Sequence, residues 1–377
     1  MIYLDNAATT KTDPRVVAAM LPYYTDWYGN PNSPHAAGEL AKGAVELARE
    51  QVAALIHAKP DEIWFFHTAT DANRYALEAG GGCVFSSRME HSSIVDELDS
   101  LLVPEYIKPR PSGRIDPDEF KAFLDGCDKY FPGSTASFML VNNETGVVND
   151  VKSLAKIAGE YGLWFHTDAT AAAGAMSIYV NELGCDMMTF SAHKMHGPKG
   201  IAALYCAEPE LMNGRYFGTP DVPAIVGFGE ACAIQQEYLR AGCGEDIDYR
   251  YLKHIFFTNL NEELNELTWQ TNGRPGWAVT SAHFFDRIFS VRFDGVDAET
   301  LVMLCSQNGL MISAGAACNS EEKEPSHVLL AMGLSPEKAM ESVRISFSRM
   351  TTADDCAEGA KILARCVNQL RGMSGGD

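Results

Sequence analysis

Residues 163–194 read LWFHTDATAAAGAMSIYVNELGCDMMTFSAHK. Two short apolar runs, 163–166 and 186–190, are each followed at once by polar groups: Asp168 after the first, then Ser191, His193 and Lys194 after the second. Working outward, the pattern recurs. Apolar runs at 63–66, 83–86 and 137–141 lead into residues 68–71, Glu90-His91-Ser92 and Asn142-Asn143-Glu144. Helix-like stretches at 36–55 and 151–161 alternate with these runs, which predicts a parallel sheet covered on both faces. In open α/β sheets ligands bind outside the carboxyl ends of the strands, where this chain places its polar groups. Residues 200–206 predict a further strand after the turn Pro198-Lys199-Gly200. Beyond about Tyr249, helical segments surround strand-like 289–293, 311–312 and 343–347. The expected fold class is α/β, with a large domain over 14–249 built on a mostly parallel central sheet between helices. A smaller α+β domain is expected from 1–13 and 250–377.

Composition narrows the function classes. The 377 residues are 46% hydrophobic and 21% charged, as in ordinary globular proteins. No segment approaches the ~20 consecutive apolar residues of a membrane helix, and the N-terminal MIYLDNAATT lacks the basic and apolar regions of a secretion signal. A cytosolic location, with no membrane partner, is therefore expected. The formal net charge of −20 disfavours direct nucleic-acid binding, which needs a basic surface. Ten cysteines show no C-x-x-C spacing, so neither a metal site nor a disulfide framework is expected.

Lys194 has an ordinary reading, a solvated turn lysine, which is the commoner fate of a lone Lys. The functional reading is an amine partly desolvated at the mouth of the sheet, able to form a Schiff base. Asp168 tips the balance. A carboxylate ending a central strand is costly unless paired, and pyridoxal phosphate (PLP) needs such a partner for its pyridine nitrogen; a helix N-cap is the ordinary alternative. Ala69 and Thr70 start a helix whose amides can hold phosphate, with Ser191 and His193 as further donors. His91 is a candidate to stack on the ring and shuttle protons, and Asn143 to reach the ring hydroxyl or the substrate. Cys318, in Gly315-Ala316-Ala317-Cys318-Asn319-Ser320, lies among small and polar residues; this predicts an exposed, mobile loop suited to a reactive thiol. Arg344 interrupts an apolar strand. Its forked guanidinium suits a substrate carboxylate, and a buried ion pair is the alternative.

Together these residues closely resemble the cysteine desulfurases, PLP enzymes of the class V aminotransferase group with the fold type I architecture. The resemblance runs from Tyr3-Leu4-Asp5-Asn6-Ala7-Ala8-Thr9-Thr10 through Glu90-His91-Ser92, Asn142-Asn143-Glu144-Thr145-Gly146, His166-Thr167-Asp168-Ala169 and Ser191-Ala192-His193-Lys194 to Arg349-Met350-Thr351-Thr352. It implies that Lys194 carries PLP, Asp168 pairs with the pyridine nitrogen and His91 stacks on the ring. Ala69, Thr70, Ser191 and His193 would bind the phosphate, with Thr219 reaching the cofactor of a partner subunit in a homodimer. Arg344 and Asn143 would orient L-cysteine. Cys318 would take the sulfur as a persulfide, leaving alanine, and pass it to a protein acceptor for iron-sulfur assembly or for tRNA or cofactor thiolation.

The chain departs from the family pattern at four places, one of them a segment between Thr70 and His91 several residues shorter than usual. Ala171 stands where members carry a glutamine, His67-Thr68-Ala69-Thr70-Asp71 replaces Ser-Gly-Ala-Thr-Glu, and the glycine-rich stretch before Gly218-Thr219 is trimmed, with Arg215 the substitute for an arginine there. Two alternatives remain open at this stage. One is a selenocysteine lyase or another PLP C–S lyase; the other is a weakly active or non-catalytic scaffold of sulfur-transfer machinery.

Overall fold

The computed structural model describes residues 1–100, 104–127, 133–212, 218–240, 249–264, 268–315 and 324–374. Seven strands form the central sheet: β2 (Ile63–Phe66), β3 (Val84–Ser86), β4 (Pro104–Tyr106), β5 (Thr135–Ser137), β6 (Trp164–Asp168), β7 (Met187–Ser191) and β8 (Ala202–Cys206). Their spatial order is β2-β8-β7-β6-β5-β3-β4. The strands from β4 to β7 are parallel, while β8 runs antiparallel to both β7 and β2. Two reversals cancel. The carboxyl end of β2 therefore lies on the same sheet edge as those of β3, β5, β6 and β7, and the polar residues that follow all five meet there. The chain is an α/β protein with a mixed, mainly parallel sheet.

Side chains alternate across the sheet. Phe165, Met188, Phe190 and Ala203 face the main core under the helices Ala36–Ile56, Val151–Glu160 and Val222–Arg240. Met187 and Leu204 face the helix Ala69–Ala79 on the other side. On that second side a buried polar row crosses the strands, Ser137 Oγ to His166 Nδ1 at 2.9 Å and His166 Nε2 to Thr189 Oγ1 at 3.0 Å. Its partners are satisfied, so its burial is tolerated. Helix Ala36–Ile56 starts at His35, whose ring nitrogen accepts the Gly38 N–H, and stops at His57, which adopts a left-handed φ of 58°.

One strand ends earlier than its apolar run predicts. The run at 137–141 leaves the ladder at Ser137, although Phe138 and Leu140 still donate to His166 O and Asp168 O across β6. On the other side β3 has already ended, and the Glu90 carboxylate accepts the Met139 N–H at 2.9 Å. A side chain thus replaces the missing strand.

A second apolar cluster holds Leu4, Phe256, Phe257, Trp269, Phe289, Phe347 and Val367. It forms under β9 (Trp269–Thr271), β10 (Ile288–Phe293), β12 (Ser313–Ala314) and β13 (Ser342–Ser346), antiparallel in the order β12-β13-β10-β9. Helices Tyr249–Glu263 and Ala353–Ser374 cover it. The N-terminal β1 (Ile2–Tyr3) pairs parallel with β11 (Leu310–Met311) and buries Leu4 in this cluster. The turn at 142–146 joins the two regions. Asn142 Oδ1 accepts from the Glu144 and Thr145 amides, and Phe285 N–H donates to Gly146 O at 2.7 Å.

Gly146 has a φ of 69°, and a Cβ there would lie 2.3 Å from Ile288 O. Gly146→Ala is expected to destabilise the fold by roughly 1–3 kcal/mol from backbone strain alone. A thermal melt with an unchanged midpoint would contradict this account of the junction.

Candidate active site

The strand ends open into a cleft of about 840 Å³, within the range typical of small-molecule sites. His91, Asn143, Asp168, Lys194 and Arg344, scattered in sequence, all line it.

Lys194 sits on a single 3-10 turn, Ala192–Lys194, directly after β7. Arg287 fixes this turn by donating to Lys194 O at 3.0 Å and to Phe347 O at 2.9 Å. The Lys194 amine donates to Ala7 O at 2.5 Å and Ala8 O at 2.8 Å. Burial, helped by the Arg344 and Arg287 cations and opposed by Asp168 and Asp5, lowers its pKa to about 7. A neutral amine has two hydrogens, which the two carbonyls take. Its lone pair stays available, as a nucleophile requires.

Asp168 closes β6 and is only 5% exposed. Its Oδ1 accepts the Thr170 N–H at 2.8 Å and its Oδ2 accepts from Asn73 Nδ2 at 2.9 Å. The residues after it form turns rather than a helix, so the N-cap alternative does not describe it. His91 Nδ1 accepts the Ser93 N–H at 3.1 Å and lies 2.9 Å from Ser93 Oγ. In the neutral ring this places the proton on Nε2. The surrounding protein holds the His91 pKa below its ordinary value, with Lys194 adding to the effect and Asp168 opposing it.

Helix Ala69–Ala79 points its N-terminus into the cleft. Thr68 caps it by accepting the Asp71 N–H at 3.1 Å, and the Ala69 and Thr70 amides precede the first intrahelical bond. Ser191 and His193 line the same end. Burial, with Lys194 and Lys199 nearby, lowers the His193 pKa to about 4. This end offers amides, a hydroxyl and a neutral imidazole to an anion.

On the opposite wall Arg344 Nη2 donates to Asp5 Oδ1 at 3.0 Å and Nη1 to Asn143 O at 3.2 Å. Arg344 thus forms the buried ion pair that was its alternative reading, and it also lines the cleft. Arg344 Nε and Asn143 Oδ1 are buried without a hydrogen-bond partner. Ala171 lines the cleft and brings no side-chain donor. Thr219 is exposed and is not among the lining residues. Cys318 and Arg215 lie outside the described residues, but Gly315 and Glu324, which flank 316–323, line the cleft. Among the described residues no group of three or more His, Cys, Asp or Glu is placed to hold a metal.

Sequence reasoning missed Asn73, Ser93, Asp5 and Arg287. For Asn73 a signal existed: an amide on the buried face of an otherwise apolar helix side shared with Ala72, Ala76 and Leu77.

Comparison with known proteins agrees with this geometry. Residues 2–214 and 210–358 match the family described as aminotransferase class-V. The chain is 37% identical to a cysteine desulfurase IscS from Methylobacillus flagellatus, over 99% of this chain and 94% of that one. It is 35% identical to a cysteine desulfurase IscS from Neisseria meningitidis serogroup C, with the same coverage. Among solved structures, a NifS-like protein superposes with a TM-score of 0.83 at 26% identity, covering 98% of this chain and 99% of that one. A NifS-like protein from Rickettsia africae gives 0.82 at 26% identity, covering 99% of each chain. The chain belongs to the cysteine desulfurases of the class-V aminotransferase family.

The lowered Lys194 pKa has a direct test. Reductive labelling with a small aldehyde is expected to modify Lys194 increasingly as pH rises through about 7, whereas surface lysines respond near their usual ~10. Peptide mass spectrometry showing Lys194 labelled only with the surface set would refute a desolvated amine.

Proposed function

We propose that this chain is a PLP-dependent cysteine desulfurase, which converts L-cysteine to L-alanine and leaves the sulfur as a persulfide on Cys318. The observation that carries the reading is the Lys194 amine, with its lone pair available, sharing one cleft with the buried Asp168 carboxylate. The donor set suits PLP. Lys194 would hold its aldehyde carbon, Asp168 its pyridine nitrogen, and Ala69, Thr70, Ser191 and His193 its phosphate; His91 would lie against the ring. When bound, PLP supplies an electron sink for bond changes at the substrate's α-carbon.

The chain's own residues do the rest. Arg344 and Asn143 orient the amino-acid carboxylate, so the substrate competes with Asp5 for the guanidinium. His91, neutral near pH 7, exchanges protons through Nε2. The Cys318 thiolate attacks the substrate sulfur. An S–S bond forms, the C–S bond breaks with its electron pair going to carbon, and that carbon takes a proton to give alanine. Gly315 and Glu324 on the cleft wall support this assignment, because they bracket the segment that carries the thiol.

The persulfide would pass to a protein acceptor in iron-sulfur assembly or thiolation. Two units of this chain would pair through the exposed apolar side chains Leu21, Tyr24, Trp27 and Tyr28, a patch that suits a protein interface. Thr219, exposed in its own subunit, would then serve the partner's phosphate. No described helix is long and apolar enough to cross a membrane; the reading places the enzyme in the cytosol with its acceptor.

Purified wild type with PLP is expected to show a visible absorbance band and to form alanine from cysteine. Lys194→Ala should lose the band. Cys318→Ala should keep it and lose at least about 100-fold in alanine formation, as expected for removal of a nucleophile. Undiminished turnover in Cys318→Ala would overturn the persulfide route.

A further inference from the structure

We propose that Asn73 is a positioning residue that couples Asp168 to His91 through Ser93. The inference deepens the proposed function and rests on it. Asn73 lies on the inward side of helix Ala69–Ala79 and is completely buried. Its amide has two hydrogens, and both are used: one reaches Asp168 Oδ2 at 2.9 Å, the other Ser93 Oγ at 3.0 Å. The amide's orientation follows from its neighbours. Turned over, it would set its own oxygen against the Asp168 carboxylate. Asn73 Oδ1 is meanwhile left buried without a partner. A fold that served only stability would not favour an amide with an orphaned acceptor at an apolar helix face.

The second branch continues into the cleft. Because the Ser93 N–H donates to His91 Nδ1 at 3.1 Å, that nitrogen is an acceptor, and the Ser93 hydroxyl held by Asn73 donates to it as well at 2.9 Å. Every donor in this chain points away from Asn73. One end donates to Asp168 and fixes the orientation of its carboxylate. The other end, through the Ser93 hydroxyl, orients the His91 ring, whose tautomer the Ser93 N–H already sets. One buried side chain thereby positions both groups facing the cofactor.

Two variants separate the branches. Asn73→Leu keeps the volume and removes both donors, whereas Ser93→Ala cuts only the His91 branch. In the cofactor-free protein the Ser93 N–H keeps His91 in the Nε2–H tautomer throughout, and ring-nitrogen NMR is expected to show the His91 Nδ1 resonance displaced from its wild-type position in both variants as the hydroxyl donor is lost or loosened. An unchanged Nδ1 resonance in both would overturn the coupling, whether or not the chain binds PLP. In the PLP-loaded protein, Asn73→Leu should weaken PLP affinity roughly 10-fold or more, the size of one hydrogen bond to a charged group, and shift the visible band. Ser93→Ala should leave affinity and band in place and lower kcat with KM little changed. A lowered melting temperature in Asn73→Leu with the wild-type band and affinity would reduce Asn73 to a structural residue and also overturn the proposal. A wild type that binds no PLP would instead sink the desulfurase reading, leaving the His91 nitrogen resonance to judge Asn73.

Discussion

The cleft depends on a lysine amine that has been taken out of water and met by two backbone carbonyls. Ala7 and Ala8 supply those carbonyls, and their segment is held far from the lysine in sequence. Leu4 is buried in the second core, and Asn6 donates to Ser346 O at 2.9 Å. Thr10 N–H then donates to His193 O at 2.9 Å. The N-terminal ten residues thus bind the second cluster to the Lys194 turn. Desolvating an amine costs free energy, and the fold can sustain that cost because both of its halves grip the same short segment.

The same economy governs the acidic groups. Two carboxyls, Glu90 and Asp168, lie in one buried region at the sheet edge. Burial first, and then the nearby Asp168 charge, raise the Glu90 pKa well above the ordinary carboxylate range, while the Met139 N–H pulls the other way. Glu90 does a strand's work by accepting the Met139 amide. Asp168 receives two donors, from Asn73 and Thr170, and lines the cleft. The two carboxyls thus meet different partners and serve different places, one at a strand end and one at the cleft.

Much of this was legible in the sequence, for a physical reason. Short apolar runs followed by polar residues record both the strand and the edge at which it ends, so 63–66 and 186–190 match their strands to within a residue. The direction of β8 leaves no such record, because alternation of side chains is the same whichever way a strand runs. The overlong run at 137–141 misled for a related reason: the chain there stays extended, with Glu90 in place of a neighbouring strand. Asn73 and Asp5 were hidden because they act on partners 95 and 339 residues away. A contact of that range imposes no local spacing. Lys194 and Asp168 stood out only because they end adjacent strands, where the fold itself converts sequence position into proximity.

On the proposed reading a chain of net charge −20 must still admit an amino-acid carboxylate and a phosphate, and its local wiring bears on how. At physiological ionic strength charges beyond about 8 Å are largely screened, so distant carboxylates weigh little against the groups lining the cleft. There, Lys194, His91 and His193 are all pushed toward their neutral forms. They donate hydrogen bonds without adding charge that would need pairing. The helix N-terminus at Ala69 and the exposed Lys199 attract an anion from one side. On the other, Asp5 pairs with the buried Arg344 guanidinium and keeps it tolerable at the cleft wall. The overall charge therefore describes the surface, and the cleft obeys its own balance.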